Sequence, residues 1–357
     1  MQMIFAGKKT LLIGGTGSLG KVLLGRLLEL GNDAPSKIIV FSRDEAKQHD
    51  MRLANITNEF ITDEIIYSNF KQLVEFRIAD IRNYSDVCSA LKEADIVINA
   101  AALKQVPVCE YFPMQAIKTN CIGAYNIVRA LEENDYPVEV VIGASTDKAA
   151  KPVNVMGMTK ALQERILISA NILNKATRFA CVRYGNVLAS RGSVIPLFHH
   201  QIMNGGPVTV THPDMTRFLL SLNQAVDTIF KAIEEAKPGE TYVPMVASAR
   251  IEAIARALIE DRDIDISYTG VRPGEKMHEI LISEEEIHHT VARGDYYVIR
   301  PMLPELQEED EAFEVILDKE YSSADHLMDY EDTVRLLKDN SLMIGDVDFE
   351  QDKETLR

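Results

Sequence analysis

The sequence has no apolar run near the roughly 18 residues that a membrane-crossing helix needs. Its start, Met1-Gln-Met-Ile-Phe-Ala-Gly-Lys-Lys9, is too short and wrongly flanked for a secretory signal. The four cysteines, Cys88, Cys109, Cys121 and Cys181, form no Cys-x-x-Cys pair. That argues against a zinc site and for free thiols in a reducing, cytoplasmic setting. The eight histidines form no His-Glu-x-x-His spacing, so no metal is expected. A basic surplus is also missing: the formal net charge is −16, which disfavours nucleic acid as a partner. Neither an internal repeat nor a low-complexity linker divides the chain.

What is present fits an ordinary globular protein. The 357 residues are 46% hydrophobic and 26% charged, enough for one large or two modest domains. The negative charge is localised. From Pro301 onward there are eighteen acidic and five basic residues, which reads as a solvated face and tail. The remainder is close to neutral, so an anionic ligand meets no strong repulsion there.

The chain opens with a strand, Lys9-Thr-Leu-Leu-Ile13, that runs into Gly14-Gly-Thr16-Gly17-Ser18-Leu19-Gly20. Glycines spaced by three let a backbone approach a pyrophosphate, and the helix expected over Lys21–Leu30 offers its N-terminus to that charge. Lys37-Ile-Ile-Val-Phe-Ser42 reads as the second strand, ending in Arg43 and Asp44. Arg43 suits a ribose 2′-phosphate through a bidentate contact, favouring NADP. The alternative has Arg43 stacking on adenine while Asp44 takes the ribose hydroxyls, giving NAD. A polar, helix-prone insertion with Arg52, Asn55 and Asn69 follows; it would cover the adenine end or an oligomer contact. Further strands are expected at Val74–Asp80 and Asp95–Ala102. The small Ala100 and Ala101 permit close approach of a cofactor.

The chain is organised around Ser145–Glu164. It follows the apolar run Val138–Ala144, a buried parallel strand. Thr146, Asp147 and Lys148 therefore sit at a strand's carboxyl end, where ligands bind in open parallel sheets. After Pro152 and Asn154 a helical pattern places Met156 and Lys160 four residues apart, on one face.

This arrangement resembles the active-site segment of extended short-chain dehydrogenases/reductases. Thr146 and Lys160 match that pattern, with Met156 where the family carries Tyr. The run Ser-Thr-Asp-Lys with Asn-Val-Met-Gly-Met-Thr-Lys is more specifically similar to UDP-N-acetylglucosamine 4,6-dehydratases of polysaccharide biosynthesis. The resemblance implies an α/β fold, with a Rossmann-type doubly wound parallel sheet and a smaller, interleaved substrate-binding lobe. Residues 1–190 would form the NAD(P)-binding domain. Residues 191–357 would form mainly the substrate lobe, interleaved with a last sheet strand near Thr241–Pro244, and the acidic C-terminal segment.

The resemblance also implies the site. Gly14, Thr16, Gly17, Ser18, Leu19, Gly20, Ser42, Arg43, Asp80, Ile81, Ala100, Ala101, Lys104, Lys160 and Tyr184 would hold the dinucleotide. Lys104, Asn186, Val194, Arg217, Arg272 and Glu275 would hold a UDP-sugar; Arg272 and Glu275 lie in the run Val271-Arg-Pro-Gly-Glu-Lys276. Asn120 would brace the site through backbone contacts. The implied reaction is a redox-neutral dehydration: oxidation at C4, loss of water across C5 and C6, and return of hydride to C6. Thr146, Asp147, Lys148, Met156 and Lys160 would carry it. Lys148 would be the base, its pKa lowered by burial and by Lys160, and Asp147 the acid. Met156 cannot take a proton, so the C4 hydroxyl proton would leave through Thr146, Asp147 or water. A UDP-N-acetylhexosamine 4-epimerase and a non-catalytic dinucleotide sensor are the alternative functions. Homo-oligomerisation is expected by family analogy.

Overall fold

The computed structural model describes residues 4–57, 70–188, 193–307 and 314–346. The expected insertion therefore lies only partly within the described residues. Asn69, the Arg191 start of the substrate lobe and the final acidic stretch lie outside them.

Six strands build the first part of the large sheet: β1 (Lys9–Ile13), β2 (Lys37–Ser42), β3 (Val74–Ile78), β4 (Ile96–Asn99), β5 (Val140–Ala144) and β6 (Arg178–Val182). The chain continues through β7 (Asn186–Val187), β8 (Val208–Val210), β9 (Thr216–Leu220), β10 (Thr241–Pro244), β11 (Ser248–Arg250) and β12 (Ile266–Tyr268). It ends with β13 (Ile280–Ile282), β14 (Thr290–Arg293), β15 (Tyr296–Ile299) and β16 (Tyr321–Ser322). The large sheet has the order β14-β15-β10-β6-β5-β4-β1-β2-β3. From β3 to β10 every pairing is parallel, and β15 and β14 add antiparallel at the edge. This is a Rossmann-type doubly wound sheet, as expected. The strand order reverses between β1 and β4, which opens a crevice at their carboxyl ends.

Alternation along the strands splits the core into two layers. Leu12, Val40, Ile98 and Ile142 pack on one face; Leu11, Ile39, Val97 and Val141 pack on the other. Helices cover both faces, which is why these strands read as near-continuous apolar runs. The first helix spans Ser18–Leu28, so Ser18, Leu19 and Gly20 lie inside it. A Cβ on Gly20 would stand 2.4 Å from the Gly15 carbonyl oxygen; only glycine lets the helix sit this close to the turn.

The smaller sheets β11-β9-β7 and β12-β8 surround a third core with Phe198, Ile254, Leu258 and Leu337, while β13 and β16 pack in a fourth with Phe218 and Val243. Here the charge-based reading of the C-terminal end needs correction. Its described part is not a solvated tail. β16 pairs with β13, and the helix Tyr330–Asp339 buries Leu337 with Leu342 and Met343 just beyond it. The acidic residues lie between these apolar contacts, so charge density hid an amphipathic helix.

Beneath the tip of β5 lies a buried ionic network. Arg183 bonds Glu164 at 3.1 and 2.6 Å and Glu286 at 2.8 and 3.0 Å, and also donates to the Leu281 carbonyl. The Ser145 hydroxyl donates to Glu164. Two flanking carboxylates push the guanidinium pKa well above its ordinary value against the opposing effect of burial. Removing one member of such a cluster leaves uncompensated buried charge. Arg183→Met is expected to destabilise the fold by about 3–5 kcal/mol, read as a lower urea midpoint with an unchanged m-value.

Candidate active site

The site forms where β5 ends. Ser145 N–H donates to Val182 O, and Asp147 N–H to Tyr184 O, so the chain stays tied to β6 past the strand. Thr146 then caps a single 3-10 turn, Asp147–Ala149. The helix Val155–Leu173 follows, capped by the Asn154 side chain on Gly157 N–H at 2.8 Å. A Cβ on Gly157 would lie 2.2 Å from the Lys148 carbonyl oxygen. The helix thus rests directly on the backbone of Lys148, and Gly157 is the residue that permits it. The motif reading passed over this glycine, although it stands within the quoted run.

Thr146, Asp147 and Lys148 are brought together as expected. Asp147 is fully buried. Its Oδ1 accepts from the Thr146 hydroxyl at 2.7 Å and from Lys148 Nζ at 3.0 Å, while its Oδ2 has no partner. Lys148 Nζ also lies 3.3 Å from Oε1 of Glu279, another buried carboxylate. The expected depression of the Lys148 pKa is therefore reversed. Burial does press it down, but Asp147 and Glu279 outweigh burial and the opposing Arg217, so the net direction is upward.

Lys160 takes the depression instead. Burial lowers it to about 8, against the weaker pull of Glu164. Its Nζ donates to Ala144 O at 2.5 Å and to Gln163 Oε1 at 2.7 Å. Met156 is buried with Cys109 and Ala116, and Leu103, Val106 and Val155 pack around them. The place of a tyrosine is thus an apolar plug.

Arg217, buried on β9, lies 3.8 Å from the Glu279 carboxylate through its Nε and donates to the Thr216 and Met277 carbonyls. Lys276 joins the group, donating to Ala150 O at 2.7 Å with its Nζ 4.0 Å from Glu279. Burial lowers the Lys276 pKa despite Glu279 and Asp147. Asn154 Nδ2 holds Gly274 O at 2.7 Å, which docks the whole Arg-Pro-Gly-Glu-Lys turn onto the active-site helix. Within that turn Arg272 is exposed, and Glu275 keeps a buried Oε2 without a partner. Asn186 on β7 likewise has an unpartnered Oδ1. Val194 opens the helix Val194–Met203. Sequence reasoning missed Glu279 and Lys276 as members of the charge cluster, although both stand at or just past the motif it quoted.

The dinucleotide crevice fits its expected cofactor class. Gly14, at φ 81°, lies against β4's end: a Cβ there would be 2.7 Å from Ala101 N, in contact with the Ala100–Ala101 backbone. No side chain caps the helix that begins after Gly17, so its N-terminal dipole faces the crevice. Thr16 and Ser42 hydroxyls bond each other at 2.8 Å. Arg43 is exposed, whereas Asp44 accepts from Lys47 N–H and pairs with Lys47 Nζ at 2.7 Å. Asp80 is engaged by Arg82, and Ile81 is buried against Gly123. Tyr184 is buried, which pushes its hydroxyl pKa up. Lys104 is exposed on the loop after β4. That loop is gripped by Asn120, which accepts from Leu103 N–H at 2.8 Å and donates to Leu103 O and to Thr159. Among the described residues no group of three or more His, Cys, Asp or Glu could hold a metal ion, and no helix could cross a membrane.

Residues 10–301 match the family described as polysaccharide biosynthesis protein. A UDP-glucose 4-epimerase of Rickettsia bellii is 44% identical over 303 residues, covering 83% of this chain and 84% of its own. An uncharacterized membrane protein of Methanocaldococcus jannaschii is 42% identical over 309 residues, covering 83% and 87%. Among solved structures, Pen from Bacillus thuringiensis has a TM-score of 0.83 at 33% identity, over 95% of this chain and 99% of that one. DesIV, a dTDP-glucose 4,6-dehydratase from Streptomyces venezuelae, solved with NAD and TYD bound, has a TM-score of 0.62 at 16% identity, over 75% and 86%. At that identity the likeness concerns the fold.

The Lys160 depression has a measurable sign. Above about pH 8 folded Lys160 releases its proton, while the unfolded chain keeps it to about pH 10.4. Stability rises with pH wherever the unfolded state binds more protons. Between about pH 8 and 10 the unfolding free energy of the wild type is expected to climb relative to that of Lys160→Met; parallel denaturation curves across that window would contradict it.

Proposed function

The chain belongs to the polysaccharide biosynthesis protein family, and from that membership we propose that it is a UDP-N-acetylglucosamine 4,6-dehydratase yielding a UDP-4-keto-6-deoxy-N-acetylhexosamine. The observation that carries this reading is the Asp147–Lys148 pair, adjacent at the β5 tip, beside an apolar Met156. Elimination of water needs an acid and a base at neighbouring carbons. Epimerisation at C4 needs neither at C5 or C6.

When bound, the dinucleotide supplies a hydride acceptor and, later, the donor. The glycine turn at Gly14–Gly20 and the helix N-terminus would hold its pyrophosphate. Arg43 would hold a 2′-phosphate, since Asp44 is already engaged with Lys47, and this favours NADP over NAD. Lys160 and Tyr184 line the nicotinamide end in this reading. Asn186, Arg217, Arg272 and Glu275 take the UDP moiety, with Lys104 and Val194 at the rim.

The protons then balance between the site and solvent. Oxidation at C4 releases the hydroxyl proton, and Thr146 passes it along its 2.7 Å hydrogen bond to Asp147. A protonated Asp147 no longer draws positive charge onto Lys148, so the amine can release its proton to solvent and act as base. Lys148 takes the C5 proton, and Asp147 gives its own to the departing C6 hydroxyl, which leaves as water. The Lys148 ammonium returns a proton to C5 once hydride reaches C6. Lys148, left neutral, regains a proton from solvent, which restores the Asp147–Lys148 ion pair seen here, and the sugar has lost one water.

A 4-epimerase is the second reading, favoured by the name of the Rickettsia relatives. The Asp147–Lys148 pair weighs against it, because epimerisation at C4 has no use for an acid and a base at C5 and C6.

Incubation with UDP-N-acetylglucosamine in deuterated water is expected to give a product lighter by one water and carrying deuterium at C5, by mass spectrometry and proton NMR. Unchanged mass with a C4 epimer would replace this reading with the second. Lys148→Ala and Asp147→Asn are each expected to lower turnover about 100-fold or more with dinucleotide binding retained; survival of turnover in both would remove the acid–base assignment. Arg43→Ala is expected to weaken NADP binding while leaving NAD binding within about twofold, measured by calorimetric titration.

A further inference from the structure

Glu279 is the buried carboxylate for which the chemistry above has no use. It lies between the Arg-Pro-Gly-Glu-Lys turn and β13, more than a hundred residues from Lys148 in sequence, yet its Oε1 is 3.3 Å from Lys148 Nζ. It is held from both sides: its N–H donates to Ser323 Oγ at 2.9 Å, and its carbonyl accepts from Ser323 N–H at 2.8 Å. Ser323 Oγ in turn bonds the Thr216 hydroxyl at 2.8 Å, and Thr216 bonds His278 Nδ1 at the same distance. The Glu279 backbone is thus fixed by a buried polar network, while its carboxylate is left to the cations. Its second oxygen has no hydrogen bond.

A buried carboxylate is costly unless it is paired. Three cations surround Glu279: Lys148 at 3.3 Å, Arg217 at 3.8 Å and Lys276 at 4.0 Å. Lys148 alone among them also touches the acid Asp147. Lys276 is anchored on a backbone carbonyl and Arg217 on two. Among the described residues Lys148 Nζ pairs with its two carboxylates, and when Asp147 is protonated Glu279 is the charged one that remains.

We propose that Glu279 is a positioning residue for Lys148, holding the amine at the β5 tip and stabilising the positive charge the amine gains when it takes a proton. The proposal rests on the dehydratase reading for its role in turnover, but not for its geometry. Glu279 gives Lys148 what a buried carboxylate gives a catalytic imidazole: a fixed orientation and a counter-charge for the protonated state. It takes no proton and touches no substrate. The charged groups facing Lys148 are Asp147 on its own turn, Glu279 before β13, and Arg217 on β9, with Lys276 beside Glu279. Of these, the two carboxylates raise its pKa, and the Glu279 contribution is the one that does not depend on the state of Asp147.

The test titrates Lys148 directly in the full-length protein. Competitive acetylation with acetic anhydride across pH, followed by peptide mass spectrometry, reads the Lys148 midpoint against exposed Lys21. In Glu279→Gln the midpoint is expected to fall by about one pH unit or more. In Glu279→Asp, which keeps the charge one methylene further away, it is expected to fall by less. With UDP-N-acetylglucosamine, Glu279→Gln is expected to lose about 10- to 100-fold in kcat with KM within about threefold, and the acidic limb of its pH profile is expected to move the same way. Glu279→Asp is expected to recover part of the kcat.

A Lys148 midpoint unmoved in Glu279→Gln overturns the proposal, whatever the activity. Should that variant not fold, an unmoved midpoint in Glu279→Asp overturns it. A midpoint that moves as expected in a protein that releases no water from the sugar removes the dehydratase reading and leaves the Glu279–Lys148 coupling standing.

Discussion

The buried guanidinium of Arg183 is the interaction under which the rest of the site is assembled. It joins Glu164 of the long helix to Glu286 of the C-terminal half, and Glu164 holds Ser145 at the end of β5. Three elements far apart in sequence are thereby pinned beneath one strand tip. The cluster is ionic and buried, which gives it direction as well as strength: a guanidinium fork donates to its carboxylates in its own plane. Thr146, Asp147 and Lys148 stand directly after Ser145. Their placement inherits the rigidity of that base, and pre-set geometry of this kind is what a proton relay needs.

Above the base the site separates two kinds of surroundings. On one side the Thr146 hydroxyl, the Asp147 carboxyl and the Lys148 amine share a chain of hydrogen bonds. On the other, Met156 lies among Cys109, Ala116 and Leu103 in an apolar patch. Burial raises the Cys109 thiol to about 11, so this patch stays uncharged near neutrality. In the proposed reaction the protons would therefore move along the β5 turn. Lys160, on the same helix as Met156, faces backbone and amide oxygens, which suits a hydrogen-bonding role more than acid–base exchange.

Much of this could be read from the chain without coordinates, and the limits have physical causes. The glycine turn, the six parallel strands and the β5 segment carry local signals: runs of branched residues, fixed spacing, caps such as Asn154. The close approach at Gly157 was hidden because a glycine inside a helix gives no sign of what it touches. The electrostatics of Lys148 were misjudged for a near and a far reason. Its pKa is raised most by the adjacent Asp147, whose pull was left out, and then by Glu279, which is held near it by Ser323 beside the β13–β16 pairing. The same pairing explains the acidic end. Its charge suggested solvent, while two short apolar stretches, at Tyr321 and at Leu337, decide where it lies. The edge hairpin β14–β15 was likewise not foreseen, since it joins the sheet after a long excursion through the smaller lobe.

That late pairing has a consequence for how the protein comes into being. The turn that carries Glu279 is clamped by Ser323, and β13 finds its partner only in β16. A polypeptide still emerging from the ribosome can wind its dinucleotide half, because domains form in the order of their synthesis. It cannot yet close the wall opposite Lys148. In the proposed reading, a chain halted before β16 therefore has its glycine turn and parallel strands but an unfinished centre.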